Sequence, residues 1–171
     1  MCIFDILTKF PTDNNDYHIN LIGVRHEENI NKFNDELYIV RFVSGVLEIR
    51  QIKNGFTTDP GQYWLQNPSN SKGTAILKEG YHKDIWKLGL HQGKYKALQQ
   101  ANPCEVWRDS NRDLALNKTK SEKGIFGINM HRANEKLVSK QVDKWSAGCQ
   151  VLADPKEFQM LLGLCETASK H

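Results

Sequence analysis

The chain has few cysteines, and they are not arranged for a metal. Cys2, Cys104, Cys149 and Cys165 are scattered, with no CxxC and no Cys/His spacing that suits zinc, so neither a structural metal nor a disulfide framework is expected. No apolar run approaches the length of a membrane span. A secretory leader is also missing from the reading: Met1–Phe10 is apolar for a few residues only, is interrupted by Asp5, and has neither a basic start nor a small-residue cleavage site. Basic residues form no continuous stretch, and the net charge of +3 is too small to argue for nucleic acid. There is no repeat, no low-complexity tract and no linker, and 171 residues suit a single domain that buries its own core. No cofactor and no metal site is expected.

What is present is mostly strand pattern. Glu36–Phe42 and Val46–Ile52 alternate about Ser44-Gly45, a hairpin signal, with Asn54-Gly55 expected to end the second strand. Thr57–Tyr63, holding Asp59-Pro60-Gly61, reads as a turn, and Asn67–Gly73 as a polar loop. Further strands are expected over Thr74–Leu77, Cys104–Arg108 and Ile125–His131, while Lys94–Gln100 reads as a short helix or turn. One helix stands out. Asp154 offers an N-cap, Pro155 the first turn and Glu157 a capping-box partner, and Phe158, Leu161, Leu162 and Cys165 then recur on one face. The fold class is therefore mainly β (α+β), with the core at about 36–165 and residues 1–35 as an N-terminal extension or added strands.

The chemistry concentrates between His131 and Cys149. A Gly directly before a Cys, in Trp145-Ser146-Ala147-Gly148-Cys149-Gln150-Val151, permits backbone angles a side chain would forbid and lets amide groups converge on one point. A thiol attacking a carbonyl needs that, and it needs a base. His131 is the candidate base, eighteen positions before Cys149.

This pattern resembles the L,D-transpeptidase (YkuD-like) catalytic domain, in which a His is followed after roughly 14 to 17 residues by Ser/Thr-His-Gly-Cys. Fourteen residues separate His131 from Ser146, and order, spacing and three of four motif letters agree. Thr57–Tyr63 also looks like that family's Thr-Pro-x-Gly-x-Tyr/Phe turn. The resemblance implies an antiparallel β domain with a helix after the cysteine turn. It implies Cys149 as nucleophile, His131 as the base that takes the thiol proton and holds an ion pair, and Gly148 and Cys149 as oxyanion donors. Ser146 would fix the turn, and the Arg132 carbonyl would orient the imidazole. The substrate implied is the peptide stem of peptidoglycan, cut or transferred through a thioester. A bacterial or bacteriophage enzyme made in the cytoplasm and delivered to the wall or periplasm without a signal peptide would fit, with an immunity protein as partner if it is a toxin.

The chain departs from the motif at Ala147, where the family has His, and at Val151, where it often has Arg or Asn. Gln150 and Trp145 are candidates to replace those contacts, although a core position is the favoured reading of Trp145. Arg132 is a candidate for a substrate carboxylate, and His82 and His91 for the cleft wall. The same fold recruited as a glycan hydrolase, with Asp143 or Glu135 as acid and base, and a non-catalytic wall-binding module are the alternatives. Asp109–Asp113 begins like a calcium loop but has Leu114 at the sixth position and Lys120 at the twelfth, so a turn bonded by Asp and Asn is expected.

Overall fold

The computed structural model describes residue 8 and residues 17–170; Cys2 and the start Met1–Leu7 lie outside them. Ten strands and two α-helices follow in order: β1 (Ile19–Val24), β2 (Asp35–Val43), β3 (Val46–Thr57), α1 (Gln62–Gln66), β4 (Thr74–Leu77), β5 (Trp86–His91), β6 (Tyr95–Gln100), β7 (Cys104–Asp109), β8 (Ser121–Gly124), β9 (Met130–Arg132), β10 (Gln150–Leu152) and α2 (Pro155–Ala168). A seven-stranded sheet runs β1-β2-β3-β10-β9-β6-β5, and a second sheet runs β4-β7-β8. Every pairing is antiparallel except β9 with β10. The class is mainly β with a late helix, and β1 is an added strand on the edge.

The Ser44-Gly45 hairpin forms as the alternation suggests, with both turn residues at positive φ (50° and 76°). Asn54-Gly55 does not end the second strand. The pairing slips between Asp35 and Glu36, so that Glu36 faces Lys53 and Asp35 faces Phe56, and β3 continues to Thr57. Asn54 absorbs the irregularity at φ 57°, a conformation asparagine tolerates better than most residues. Lys94–Gln100 is not a helix or turn: Tyr95–Gln100 is β6, held by a six-residue register with β5. Ile125–His131 contributes only Met130 and His131 to a strand, because Gly127 takes φ 75° and the chain crosses there from the small sheet to the large one. Asp109–Asp113 is a bonded turn: Asp113 Oδ1 accepts from the Ala115 N–H at 2.8 Å and Asp109 Oδ2 from the Asn117 N–H at 2.8 Å.

The main core lies between the large sheet and α2. Leu37, Ile39, Ile52 and Phe56 meet Leu98, Met130 and Leu152, and Phe158, Leu161 and Leu162 close over them. Burying those three helix side chains contributes about 5–9 kcal/mol before entropy is counted, whereas the Asp154 cap, accepting from the Lys156 N–H at 2.8 Å, is worth about 1 kcal/mol. Packing therefore places the helix and the cap sets where it begins. A smaller cluster of Phe33, Ala133, Val142, Val151 and Ala153 lies beside Cys149.

Candidate active site

The one parallel pairing among the described residues joins the strand of His131 to the strand that follows Cys149. Register sets Val151 opposite His131 and Gln150 opposite Met130. Side chains alternate along a strand, so Cys149, two residues before Val151, emerges on the face that carries His131.

The cysteine turn is fixed from inside. Ser146 is fully buried; its Oγ donates to the Cys149 carbonyl at 2.8 Å and accepts from the Gly148 N–H at 3.2 Å. This is the local bracing expected of it. Gly148 sits at φ 120°, and a Cβ there would stand 2.4 Å from the Ala75 carbonyl oxygen of β4, so only glycine fits. Its N–H donates to Ser146 Oγ, so the hydroxyl fixes the glycine as well as the Cys149 carbonyl.

The turn is also fixed from outside. Gly61 donates its N–H to the Ser146 carbonyl at 2.8 Å, and a Cβ on Gly61 would lie 1.9 Å from the Asp143 carbonyl oxygen. Asn31 clamps the same segment: its Oδ1 accepts from the N–H groups of Asp143 (2.6 Å) and Gln62 (3.1 Å), and its Nδ2 donates to Asp143 Oδ1 (2.8 Å). Beneath this turn, Asp35 accepts from Thr58 N–H (2.6 Å) and Thr58 Oγ1 (2.8 Å), and Arg25 pairs with Asp59 at 2.7 Å.

His131 is 2 % exposed. Its Nδ1 lies 2.8 Å from the Arg132 carbonyl oxygen, which can only accept, so Nδ1 carries the proton and Nε2 presents its lone pair. Nε2 is buried without a hydrogen-bond partner. The Tyr95 hydroxyl stands 3.3 Å from both Nδ1 and the Arg132 carbonyl, and His91 stacks on the ring with centroids 3.8 Å apart and planes 26° apart. Burial holds the His131 imidazole down to about 3. Burial also pushes the Cys149 thiol up to about 11, against a smaller lowering by the Asn129 backbone. The thiol donates to the Gly127 carbonyl at 3.4 Å. Burial thus favours the neutral form of each group.

No family model, curated protein or solved structure matches the chain. The local geometry is therefore what speaks for chemistry at this site.

Of the other candidates, His91 is brought to the site and His82 is not seen there: its Nε2 bonds the Lys78 carbonyl at 2.8 Å, in the segment after β4. Arg132 is already engaged, its guanidinium 4.0 Å from the Tyr95 ring centroid and 3.6 Å from Glu135. A substrate carboxylate would have to displace Glu135. Gln150 is buried with Nε2 unpartnered, but strand alternation turns it away from the face of Cys149. Trp145 is not a core residue: it is 42 % exposed, beside the cysteine turn. Its neighbour Lys144 instead supplies the packing, with its carbonyl accepting from Trp64 Nε1 at 3.1 Å and its ammonium 4.3 Å above the Tyr63 ring.

Sequence reasoning passed over Tyr95, Asn129, Asn31 and Gly127. Tyr95 was findable, since Gln92-Gly93 between Trp86–His91 and Tyr95–Gln100 is a turn signal, and the resulting hairpin sets Tyr95 opposite His91. Asn129 is a polar residue inside the apolar run Ile128–Met130, two before the histidine. Asn31 carried no local signal.

Proposed function

We propose that the chain is a Cys–His acyl-transfer enzyme of the L,D-transpeptidase type, acting on stem-peptide amides of peptidoglycan. The observation that carries the chemistry is the parallel β9–β10 register, which sets Cys149 and a His131 with a bare Nε2 on one face of the sheet. The substrate class rests on the resemblance of the motif.

In this reading the Cys149 sulfur attacks the amide carbonyl carbon as His131 Nε2 takes the thiol proton. The Cys149 N–H is the backbone donor to the resulting oxyanion. The C–N bond then breaks, His131 returns the proton to the leaving amine, and a thioester remains. An incoming amine or water, giving its proton to Nε2, attacks the thioester and releases the sulfur, which regains a proton from His131. Desolvation keeps the thiol unreactive until a carbonyl occupies the site, which suits a nucleophile in an oxidising or thiol-reactive setting.

The test is incubation of the reduced protein with purified peptidoglycan, followed by mass analysis of released muropeptides. Shortened or newly cross-linked stems that vanish with Cys149→Ala support the reading; unchanged stems with Cys149 intact and reduced overturn it. Glycan cleavage that survives Cys149→Ala would transfer the role to carboxylates, against which stand the Glu135–Arg132 and Asp143–Asn31 pairings. Iodoacetamide at neutral pH does not discriminate well, because burial pushes Cys165 up to about 11 as well. A carbapenem is the better probe, since an acyl adduct on Cys149 reports nucleophile and accessibility together.

A further inference from the structure

The ring stacked on the base is itself held in one protonation state. The chain of bonds that does so starts on the backbone of β6. The Gln100 N–H, which can only donate, lies 2.9 Å from Asn129 Oδ1, and this assigns the oxygen of the Asn129 amide. The other end of that amide is therefore the NH₂ group, and it stands 3.2 Å from His91 Nδ1. Nδ1 of His91 must accept, so its proton is on Nε2 and the ring is neutral. His131 has the opposite tautomer, with Nδ1–H on the Arg132 carbonyl. Two neutral imidazoles of complementary tautomer thus lie 3.8 Å apart, both largely buried, with His91 9 % exposed.

We propose that His91 is a positioning residue for His131: locked as a neutral ring by Asn129, it supplies the flat face against which the base becomes an imidazolium during thiol deprotonation. This rests on His131 serving as the base of the proposed reaction.

The surroundings of the pair act in the same sense as the Asn129 bond. Burial disfavours the charged form of His91, and Lys94, in the turn after β5, and Arg132, on β9, add to that, so its imidazole is held below the ordinary value. His131 faces His91, Tyr95 and Arg132. If His91 were protonated, a second cation would oppose every proton that His131 accepts from Cys149. A neutral aromatic face has the reverse effect, because a cation is attracted to it. Tyr95, opposite His91 in the hairpin at a centroid distance of 5.5 Å, brings its hydroxyl within 3.3 Å of His131 Nδ1.

Nitrogen-15 NMR of the imidazole side chains of the full chain reads the tautomers without any substrate. Expected at neutral pH are His91 protonated at Nε2 alone and His131 at Nδ1 alone; a proton on His91 Nδ1 overturns the proposal. Asn129→Asp replaces the donor to His91 Nδ1 by a carboxylate and keeps the acceptor for Gln100. It should move a proton onto His91 Nδ1 and raise its titration midpoint by a unit or more, roughly the effect of an adjacent carboxylate; an unchanged His91 titration counts against the lock. On peptidoglycan or a carbapenem, His91→Ala should lower the acylation rate by on the order of tenfold, chiefly in kcat, with the acid limb of the pH profile displaced, while His91→Phe recovers most of the loss. Equal loss in the two variants overturns the stacking role. Correct tautomers in a protein that leaves stem peptides untouched would refute the proposed reaction and not the lock.

Discussion

The β2–β3 hairpin and the β9–β10 pair solve the same problem in opposite ways. The hairpin spans nine and twelve residues, and its register follows from a tight turn and a long ladder. Much of its outer half faces solvent: Val46 is 65 % exposed. The β9–β10 pair has only three residues in each strand and no turn to join them. The segments that lead into it are held instead by Gly61 and Asn31 from elsewhere in the chain, by Ser146 within the cysteine turn and by Asn129 just before β9. Local rules suffice for a structural hairpin. A site on short strands needs a scaffold of long-range polar contacts, and each is specific.

Substitution at the two turn glycines should give the widest contrast. Gly148→Ala forces a Cβ into the Ala75 carbonyl at positive φ, with an expected loss of more than about 3 kcal/mol, or failure to accumulate folded protein. Gly45→Ala meets nothing within 4 Å and should cost only about 1 kcal/mol, with carbapenem acylation of Cys149 unchanged. Urea melts of both variants, with adduct mass, check the pair; equal losses would erase the distinction.

Asn31→Ala should come next. It strands two backbone N–H groups at the cysteine loop, at about 2–4 kcal/mol in denaturant unfolding, and should slow acylation besides.

The pH dependence follows from His131. Its folded value of about 3 lies below the ordinary 6.5, so between these limits the unfolded chain binds more protons than the folded one. The resulting stability is complete above about pH 6.5 and is lost as pH falls towards 3, by up to about 1.4 kcal/mol per pH unit. His91 adds to the loss in the same direction. His131→Gln should flatten the slope of unfolding free energy against pH in that window.

At the small end, Arg41→Ala removes the bond to Glu48 at 2.8 Å on the exposed hairpin. A change below about 0.5 kcal/mol is expected in the same melts.

The same contrast explains what could be read in advance. Thr74–Leu77 was legible to the residue, as were the Ser44-Gly45 hairpin and the capped helix at Asp154, because period and turn chemistry are local properties. His131 and Cys149 were legible as a spacing. Tyr95–Gln100 was not: Lys, Ala, Leu and Gln favour helix by propensity, and only pairing with Trp86–His91 makes it a strand. Trp145 looked like core because large aromatics usually are, yet the turn it precedes is anchored through Ser146 and leaves the indole outside. The clamp of Asn31 on Asp143 joins residues 112 apart, and no window along the chain reveals such a partner.

The single parallel pairing has one more consequence. Parallel neighbours cannot be joined by a tight turn, so the chain leaving Arg132 must travel back the length of the strand before Gln150 can begin. The separation of His131 and Cys149 along the sequence is therefore the length of a return journey and not a dimension of the site. Much of that journey, around Leu137 (70 % exposed) and Val138 (61 % exposed), runs over the surface. Evolution or an engineer can lengthen the route there and leave the thiol and imidazole where they are, provided it still passes Asn31 and Gly61 on the way home.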